Sequence, residues 1–238
     1  MKLQKLLSYG IKAIKKYDMI HDNDVIAVGI SGGKDSMLLF LCLSMYQKFR
    51  DKNFELVGIH IDVGFEDFEH DTMKEFAKKY NLNLHIEKTR IFEILKKNEN
   101  KEKIQCSLCA NLKKGALFKV ATDKHAKDLG CNKLALGHHS DDAIETLFLN
   151  MIHGGKISTF QPCQYMSKTQ LTMIRPMVYC EEKEIIKTCI NNDVPSVKRV
   201  CPNDGFTQRQ EIKDILNELY EKFILNILFE VAITSLSK

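Results

Sequence analysis

The feature that most constrains the fold is the stretch ISGGKDS at residues 30–36, because it separates two apolar runs. The run before it is VIAV, residues 25–28, and the run after it begins with MLLF, residues 37–40. The first run predicts a buried strand and the second a buried helix. Two glycines between them permit a sharp turn and close backbone approach, and the helix start offers unpaired N–H groups. This arrangement predicts a turn that binds an oligophosphate.

The side chains of this turn suit the phosphates of a nucleotide. Ser31 and Ser36 offer hydroxyl donors, Lys34 adds a positive charge, and Asp35 can hold Mg²⁺. The turn is not a Walker A loop, which requires glycine where Val28 stands and serine or threonine where Asp35 stands. No dinucleotide-binding G-x-G-x-x-G pattern can be placed here either.

Strands and helices alternate along the chain, and this pattern defines the expected fold class. Predicted strands cover residues 24–31, 54–63, 82–88, 133–136 and 171–178. Predicted helices cover residues 34–49, 69–80, 110–128, 141–152, 181–191 and 204–235. The alternation predicts an α/β fold, a parallel sheet flanked by helices. Ligands of such sheets bind at the carboxyl ends of the strands, where residues 31–36, 60–64 and 137–142 fall.

The N-terminal segment, residues 1–20, has helical apolar spacing and five lysines against one aspartate. Its charge of +4 equals the net charge of the chain, so this basic face is a candidate RNA contact or a solvated surface.

The expected organisation is this helix, a central α/β domain at 21–195 and a C-terminal helical segment at 196–238. No run reaches the ~20 apolar residues of a membrane span, and lysines interrupt the N-terminus. We therefore expect a cytoplasmic protein with reduced cysteines.

Cysteines supply the second informative feature, the C-x-x-C pair Cys106 and Cys109. Such a pair can be redox-active, half of a zinc site or part of an iron–sulfur site. A structural zinc needs four ligands, and no second close pair is present. Cys201 can supply a third thiolate. Of the five other cysteines, four are predicted to be buried: Cys42, Cys131, Cys180 and Cys189.

The motifs together resemble a known family. SGGxDS after the first strand resembles the loop of the PP-loop ATP pyrophosphatases. Residues 106–156 (CSLCANLKKG through ALGHHSDDAIETLFLNMIHGGK), 174–185 (IRPMVYCEEKEI) and 207–216 (TQRQEIKDIL) resemble the tRNA 2-thiocytidine synthetase family. The resemblance covers roughly residues 1–222. It implies a PP-loop sheet with helical additions at both ends of the chain.

The resemblance also implies site residues. The pyrophosphate loop corresponds to Ser31, Gly32, Gly33, Lys34, Asp35 and Ser36. Further nucleotide contacts correspond to His60, Asp62, Gly137, His138, Asp141 and Asp142. The cluster ligands correspond to Cys106, Cys109 and Cys201. In this reading Lys34 and Asp35 are catalytic, Asp35 through Mg²⁺, and the three cysteines hold a 4Fe–4S cluster whose open iron can bind sulfide.

The implied reaction is thiolation of tRNA. ATP adenylates a base carbonyl in the anticodon loop, and sulfur from sulfide or a persulfide carrier then replaces the oxygen. A homodimer through the apolar residues 223–233 is a further expectation, with an intramolecular core helix as the alternative for this segment. Additional candidate phosphate or RNA contacts, with ordinary surface charges as the alternative, are Arg175, Lys156, Lys198, Arg199 and Arg209.

One departure from the family pattern leaves alternatives open. The family often carries a second C-x-x-C around its third ligand, whereas here Cys201 is followed by residues 202–204 (PND). A uridine thiolase, a PP-loop adenylating enzyme with a structural zinc and another substrate, and a non-enzymatic adenine-nucleotide sensor remain as alternatives. No cysteine lies before Cys42 or after Cys201, which disfavours the 2-thiouridine subgroup with zinc-finger pairs at both ends.

Overall fold

The structure is a computed structural model, and it describes residues 3–50, 53–97, 106–123, 130–198, 200–201 and 208–222. The helices are α1 Leu3–Lys16, α2 Lys34–Arg50, α3 Asp71–Tyr80, α4 Ile91–Lys97, α5 Cys106–Thr122, α6 Ser140–Gly154, α7 Glu182–Asn191 and α8 Gln208–Lys222. The strands are β1 Val25–Ile30, β2 Glu55–Asp62, β3 Leu84–Lys88, β4 Lys133–Ala135, β5 Cys163–Met166 and β6 Leu171–Ile174.

The strands form one sheet in the order β3-β2-β1-β4-β6-β5. All neighbouring pairs are parallel except β5 and β6, which form an antiparallel pair at the edge. The chain crosses to the other half of the sheet after β3, so β1 and β4 flank the point at which the strand order reverses. Crevices at such points are where open α/β sheets bind ligands. The turn that follows β1 therefore lies at the expected position.

Successive apolar side chains of the central strands point to opposite faces of the sheet, and each face is covered by a hydrophobic core. Ile26 and Val28 of β1 belong to the core that includes α1, α2 and α7. Ala27, between them, belongs to the opposite core with α4 and α5. Residues on a strand point alternately to opposite faces, so both faces of β1 are buried. α2 is apolar on every side and lies within the first core, as expected for a fully covered helix.

The two terminal helices pack on the α/β body. α1 buries Leu6, Ala13 and Ile14 and contacts α2 and α7. α8 packs on α6, where Ile212 and Leu216 form a small third cluster with Ile144. No helix in the described part of the chain is long and apolar enough to cross a membrane.

The structure confirms the predicted fold class and corrects several element boundaries. The strand predicted at 171–178 ends at Ile174, because a turn follows that includes Pro176, which lacks a backbone N–H. The helix predicted to start at residue 110 begins at Cys106, so the C-x-x-C lies on its first turn. α4 and β5 were not predicted, since seven and four residues carry little periodic signal. The predicted dimer segment, 223–233, and Arg199 lie outside the described residues.

Candidate nucleotide and sulfur-transfer site

The turn between β1 and α2 is held by its own serines. Ser36 Oγ donates to the carbonyl of Gly33 at 2.9 Å and accepts from the N–H of Ser31 at 3.1 Å. The two hydroxyl oxygens are 3.1 Å apart, and the Gly33 N–H donates to Ser31 Oγ at 3.2 Å. Gly32 has a φ of +84°, which favours glycine. The serines thus shape the loop rather than serving only as phosphate donors.

Lys34 is held by two carboxylates. Its Nζ lies 3.1 Å from Glu182 Oε1 and 3.3 Å from Asp35 Oδ1. Burial opposes the charged form, but Asp35 and Glu182 outweigh it and raise the pKa of Lys34. The other oxygen of Glu182 pairs with Lys213 of α8. A chain of charges therefore connects the loop through α7 to α8.

Gly137 lies against the loop from the β4–α6 connection. A Cβ at this position would come within 3.1 Å of the backbone of Asp35 and Ser36. Real Cβ contacts to backbone are rarely so short, so only glycine allows the two segments to approach this closely. The predicted neighbourhood of residues 31–36 and Gly137 is therefore present.

Asp141 and Asp142, which follow Gly137, have different partners. Asp142 Oδ2 accepts from the N–H of His139 at 3.0 Å and helps to cap α6. Asp141 Oδ2 accepts from the N–H of Glu182 at 2.8 Å and from Ser140 Oγ at 3.0 Å. Burial opposes ionisation of Asp141, but His139 and the Glu182 amide outweigh it and lower its pKa to about 2. Asp141 thus stays charged and fastens the start of α7, and its predicted nucleotide contact remains a prediction.

His60 and Asp62 lie at the end of β2. His60 is buried, its Nδ1 is 2.8 Å from the carbonyl of Ile30, and its ring stacks on Phe68 at 5.0 Å. Burial lowers the pKa of His60 and favours the neutral ring. Asp62 Oδ1 accepts from the N–H of Gly64 at 2.9 Å, and its Oδ2 lies 3.3 Å from His70. His60 is therefore a neutral, fixed group beside the loop.

Two cavities meet at this edge of the sheet, with volumes of about 320 Å³ and 340 Å³. The first, here called the apolar cavity, has walls that include Ile30, Ile59, Leu117, Phe118, Leu134, Leu136 and Met173. The second, here called the loop cavity, has walls that include Gly33, Asp35, Asp62, Phe65, Phe68, Val197, Lys198, Val200 and Cys201. The residues that line both are Ser31, His60, Ile61 and Lys113. A ligand that extends from one cavity to the other must pass these shared residues.

The three predicted ligand cysteines lie on two segments, the first turn of α5 and the segment that precedes α8. Cys106 and Cys109 lie three positions apart on the first turn of α5 and therefore share a face. Burial raises the pKa of Cys109; Lys113 lowers it, and Cys201 and Cys106 raise it further. These influences put both cysteines within electrostatic reach of Cys109, although Cys201 is distant in sequence. Cys201 also lines the loop cavity with Asp35.

All eight cysteines lie in the described part of the chain, and none forms a disulfide. The cysteines predicted to be core residues are buried, which confirms that prediction for Cys42, Cys131, Cys180 and Cys189.

Among the described residues, no three His, Cys, Asp or Glu side chains stand close enough together to hold a single metal ion. A cluster of several irons binds each thiolate through a different iron. Its ligands therefore need not converge on one point.

Two arginines considered as surface phosphate or RNA contacts have internal partners. Arg175 is 5% exposed, lines the apolar cavity and donates through Nε to His138 Nδ1 at 3.3 Å. Burial lowers the pKa of His138 to about 4, which keeps its ring neutral and able to accept. Arg209 on α8 binds Asp142 at 3.0 Å and Glu145 at 3.2 Å. The surface-charge reading is therefore wrong for Arg175, and Arg209 joins α8 to α6.

Three contributors to the site were missed by sequence reasoning. Lys113 lines both cavities, and it follows Cys109 by four positions on the same helix. That spacing, once α5 is known to begin at Cys106, was a usable signal. Glu182 and Phe68 gave no such signal, because their contacts with Lys34 and His60 join segments far apart in the chain.

Comparison with known proteins gives consistent results. Residues 4–216 match the family model of the PP-loop domain. The tRNA-cytidine(32) 2-sulfurtransferase of Citrifermentans bemidjiense is 38% identical over 228 residues, covering 92% of this chain and 88% of the relative. The tRNA-cytidine(32) 2-sulfurtransferase of Geotalea daltonii is 40% identical over 211 residues, covering 87% and 81%.

A solved structure agrees at the level of the fold. The U34-tRNA thiolase NcsA from Methanococcus maripaludis, solved with its 4Fe–4S cluster, superposes with a TM-score of 0.76 at 22% identity. The match covers 96% of this chain and 76% of that one. The resemblance inferred from the sequence motifs is confirmed, and the chain belongs to the tRNA-cytidine(32) 2-sulfurtransferase family of PP-loop proteins.

Proposed function

We propose that this chain is an ATP-dependent tRNA sulfurtransferase that converts a cytidine of the anticodon loop, position 32 by its relatives' names, to 2-thiocytidine. The observation that carries the proposal is the shared lining of the two cavities. Ser31 and Lys113 stand where the cavities meet, and Cys201 lines the cavity that also contains Asp35. Phosphate activation and sulfur delivery thus have adjacent positions.

The nucleotide is expected to bind across this meeting point. Its phosphates would lie on the N-terminal end of α2, where unpaired N–H groups and Lys34 balance their charge. Its flat, largely apolar base suits the apolar cavity. Asp35 Oδ1 is buried and accepts no hydrogen bond within the described part of the chain, and its charged neighbour is Lys34 Nζ at 3.3 Å. That oxygen is suited to Mg²⁺, which typically uses one or two carboxylates together with phosphate oxygens.

The reaction then takes two displacements. The C2 carbonyl oxygen of cytidine attacks the α-phosphorus, the bond from that phosphorus to the bridging oxygen breaks, and pyrophosphate leaves. Hydrosulfide next forms a bond to C2 and loses its proton, the C2–O bond breaks, and AMP carries away the original oxygen. Lys34 and Lys113 would offset the negative charge that develops on the phosphates.

The thiolate set suits an iron–sulfur cluster better than zinc. Three thiolates, from Cys106, Cys109 and Cys201, are too few for a closed tetrahedral zinc site. These residues would hold a 4Fe–4S cluster, which when bound supplies an iron without a protein ligand and so a place for sulfide. Sulfur would then enter the loop cavity at Cys201, beside the base to be modified.

Nucleoside analysis tests the function directly. tRNA from cells with the active gene should contain 2-thiocytidine, and tRNA from cells with a Lys34→Ala chromosomal variant should lack it. Anaerobically purified protein with tRNA, ATP and sulfide should release equal amounts of pyrophosphate and AMP for each thiolated base. A thiolated uridine would instead identify the uridine enzyme. ATP binding without tRNA-dependent pyrophosphate release would identify a nucleotide sensor.

A further inference from the structure

Two phenylalanines give the loop cavity an aromatic wall. Phe65 and Phe68 follow β2, are half-buried, and both line this cavity. The Phe68 ring lies nearly parallel to the ring of His60, at an interplanar angle of 15°. Phe65 packs against Phe92, with ring centroids 4.7 Å apart. Phe92 lies outside the lining of both cavities, so it supports Phe65 without facing the cavity itself.

The rings stand beside the groups that the chemistry needs. A Cβ on Gly32 would lie 3.3 Å from Phe68 Cζ, so this ring touches the phosphate loop. The same cavity is lined by Cys201 and by Asp35. A planar group on these rings would therefore lie in the same cavity as Asp35 and Cys201. The lining also includes the cations Lys113 and Lys198, which suit a ribose-phosphate backbone.

The linings of the apolar cavity and the loop cavity indicate which ligand suits each of them. The apolar cavity offers mostly hydrophobic walls to the adenine of ATP, and its lining also includes Lys113, Lys114 and Arg175, which suit the charge of the phosphates. Among residues 31–36, it contacts only Ser31. The loop cavity, at about 340 Å³, has room for a pyrimidine ring beside the phosphates. A base in RNA is read most readily when it leaves its stack and lies on an aromatic side chain. Enzymes that modify a base commonly extrude it into such a pocket.

We propose that Phe65 and Phe68 form the platform that receives the extruded target cytidine. The inference rests on the proposed function, because it assigns a position to that function's RNA substrate. Stacking on these rings would compensate for the stacking that the base loses in the anticodon loop. It would also point the C2 carbonyl towards the junction at Ser31 and Lys113. In this role the phenylalanines are binding residues for the base and not for ATP.

Substitutions that separate ring stacking from hydrophobic volume test the proposal. Phe65→Leu and Phe68→Leu keep an apolar side chain but remove the ring, whereas Phe65→Tyr and Phe68→Tyr keep the ring. Each leucine variant should lower kcat/KM for tRNA by roughly 10-fold or more, as expected for one lost stacking contact. Each tyrosine variant should stay within about threefold of wild type, and ATP affinity without tRNA should not change.

Phe92→Leu is the matched control, because it alters packing behind Phe65 without changing the cavity lining. Its kcat/KM for tRNA should stay near that of wild type. Phe68 also touches Gly32, so Phe68→Leu can destabilise the loop. If Phe68→Leu strongly lowers the midpoint temperature of unfolding, Phe65→Leu decides the test.

The outcomes separate this inference from the function on which it rests. Wild-type protein that forms no thiolated base contradicts the proposed function. An active wild type with unchanged leucine variants overturns the platform alone. A parallel loss of ATP affinity and tRNA turnover also overturns it, because the rings would then support the nucleotide loop. A Phe92→Leu defect equal to that of Phe65→Leu would show that packing, and not stacking on the base, explains the loss.

Discussion

At the scale of single residues, Lys113, which stands where the two cavities meet, gives the most direct test of the proposed chemistry. It is one of the residues that line both cavities, and it lies on α5 beyond Cys109. A cation at this point can neutralise phosphate charge as pyrophosphate leaves. It also lowers the pKa of Cys109 against the effect of burial. Under the proposed function, a single residue would thus act on both the nucleotide and the Cys109 thiol.

Lys113→Ala is expected to reduce the single-turnover rate of tRNA thiolation by about 100-fold, the usual effect of losing one transition-state contact. Lys113→Arg should recover part of the rate because the charge is kept. Lys119→Ala is the matched control, since Lys119 is exposed on the last turn of the same helix. A Lys119→Ala defect of equal size would mean that charge on α5 acts only at long range on tRNA.

Asp141 allows a prediction about acid stability. Its pKa is about 2 in the folded protein against an ordinary 3.8, so its stabilising effect is complete above pH 3.8 and is lost as the pH falls towards 2. Asp141→Asn should therefore lower the free energy of unfolding at neutral pH by about 1–2 kcal/mol, after allowance for solvent screening. The difference from wild type should shrink at about pH 2.

Urea unfolding at several pH values measures this difference. Asp71→Asn is the control, because Asp71 is fully exposed and pairs only with nearby groups such as Lys74. It should change the pH profile much less than Asp141→Asn. Equal profiles for the two variants would show that the contacts of Asp141 with His139 and Glu182 do not set its ionisation.

At the scale of elements, the site depends on how closely the β4–α6 connection approaches the phosphate loop. The approach is made at Gly137, where a Cβ would lie 3.1 Å from loop backbone. The Glu182 amide and side chain then tie α7 to both segments through Asp141 and Lys34. The loop is therefore braced by two other elements before any nucleotide binds, which lowers the cost of ordering it.

Gly137→Ala should displace this connection and the loop from each other. Overpacking of this kind costs about 1–3 kcal/mol of unfolding free energy, and ATP affinity should fall with it. The control is Gly115→Ala in α5, where an added Cβ meets nothing within 4 Å. That variant should be stabilised by about 0.5–1 kcal/mol, because alanine favours the helix. Isothermal titration with ATP and urea unfolding measure both effects, and an unchanged ATP affinity in Gly137→Ala would contradict the argument.

At the scale of the whole molecule, the fold places the segment that carries Cys201 beside the turn at residues 31–36. Cys106 and Cys109 begin α5, whereas Cys201 follows α7 and precedes α8. Val197, near Cys201, donates its N–H to the carbonyl of Gly32 at 2.8 Å. This bond joins the segment that carries the third cysteine to the phosphate loop. The segment that carries Cys201 and the turn at residues 31–36 are thus joined by a direct backbone hydrogen bond.

Cys201→Ala should abolish the brown iron–sulfur absorbance of anaerobically purified protein and its tRNA thiolation, while ATP binding is kept. Cys163→Ala is the control, since Cys163 is also half-buried but begins the edge strand β5. It should keep both absorbance and activity. A Cys201→Ala protein that retains its cluster would show that the third ligand was assigned wrongly.

The sequence by itself determined the parts of this protein that depend on neighbouring residues. The run before Ser31 and the glycines after it specify a strand, a turn and a helix, because the contacts involved span only a few positions. The C-x-x-C spacing likewise places Cys106 and Cys109 together on any helix. Burial of Cys42 followed from the apolar residues around it.

The strand pattern predicted that residues 137–142 lie near the loop, but only the tertiary structure decided which atoms of distant segments touch it. Lys34 pairs with Glu182, Gly137 touches the backbone of Asp35, and Cys201 faces the same cavity as Phe68. Each of these contacts joins residues on different elements, so their positions depend on strand order and helix packing. A local pattern carries no information about such pairings, because the free energy that fixes them comes from burying both cores at once.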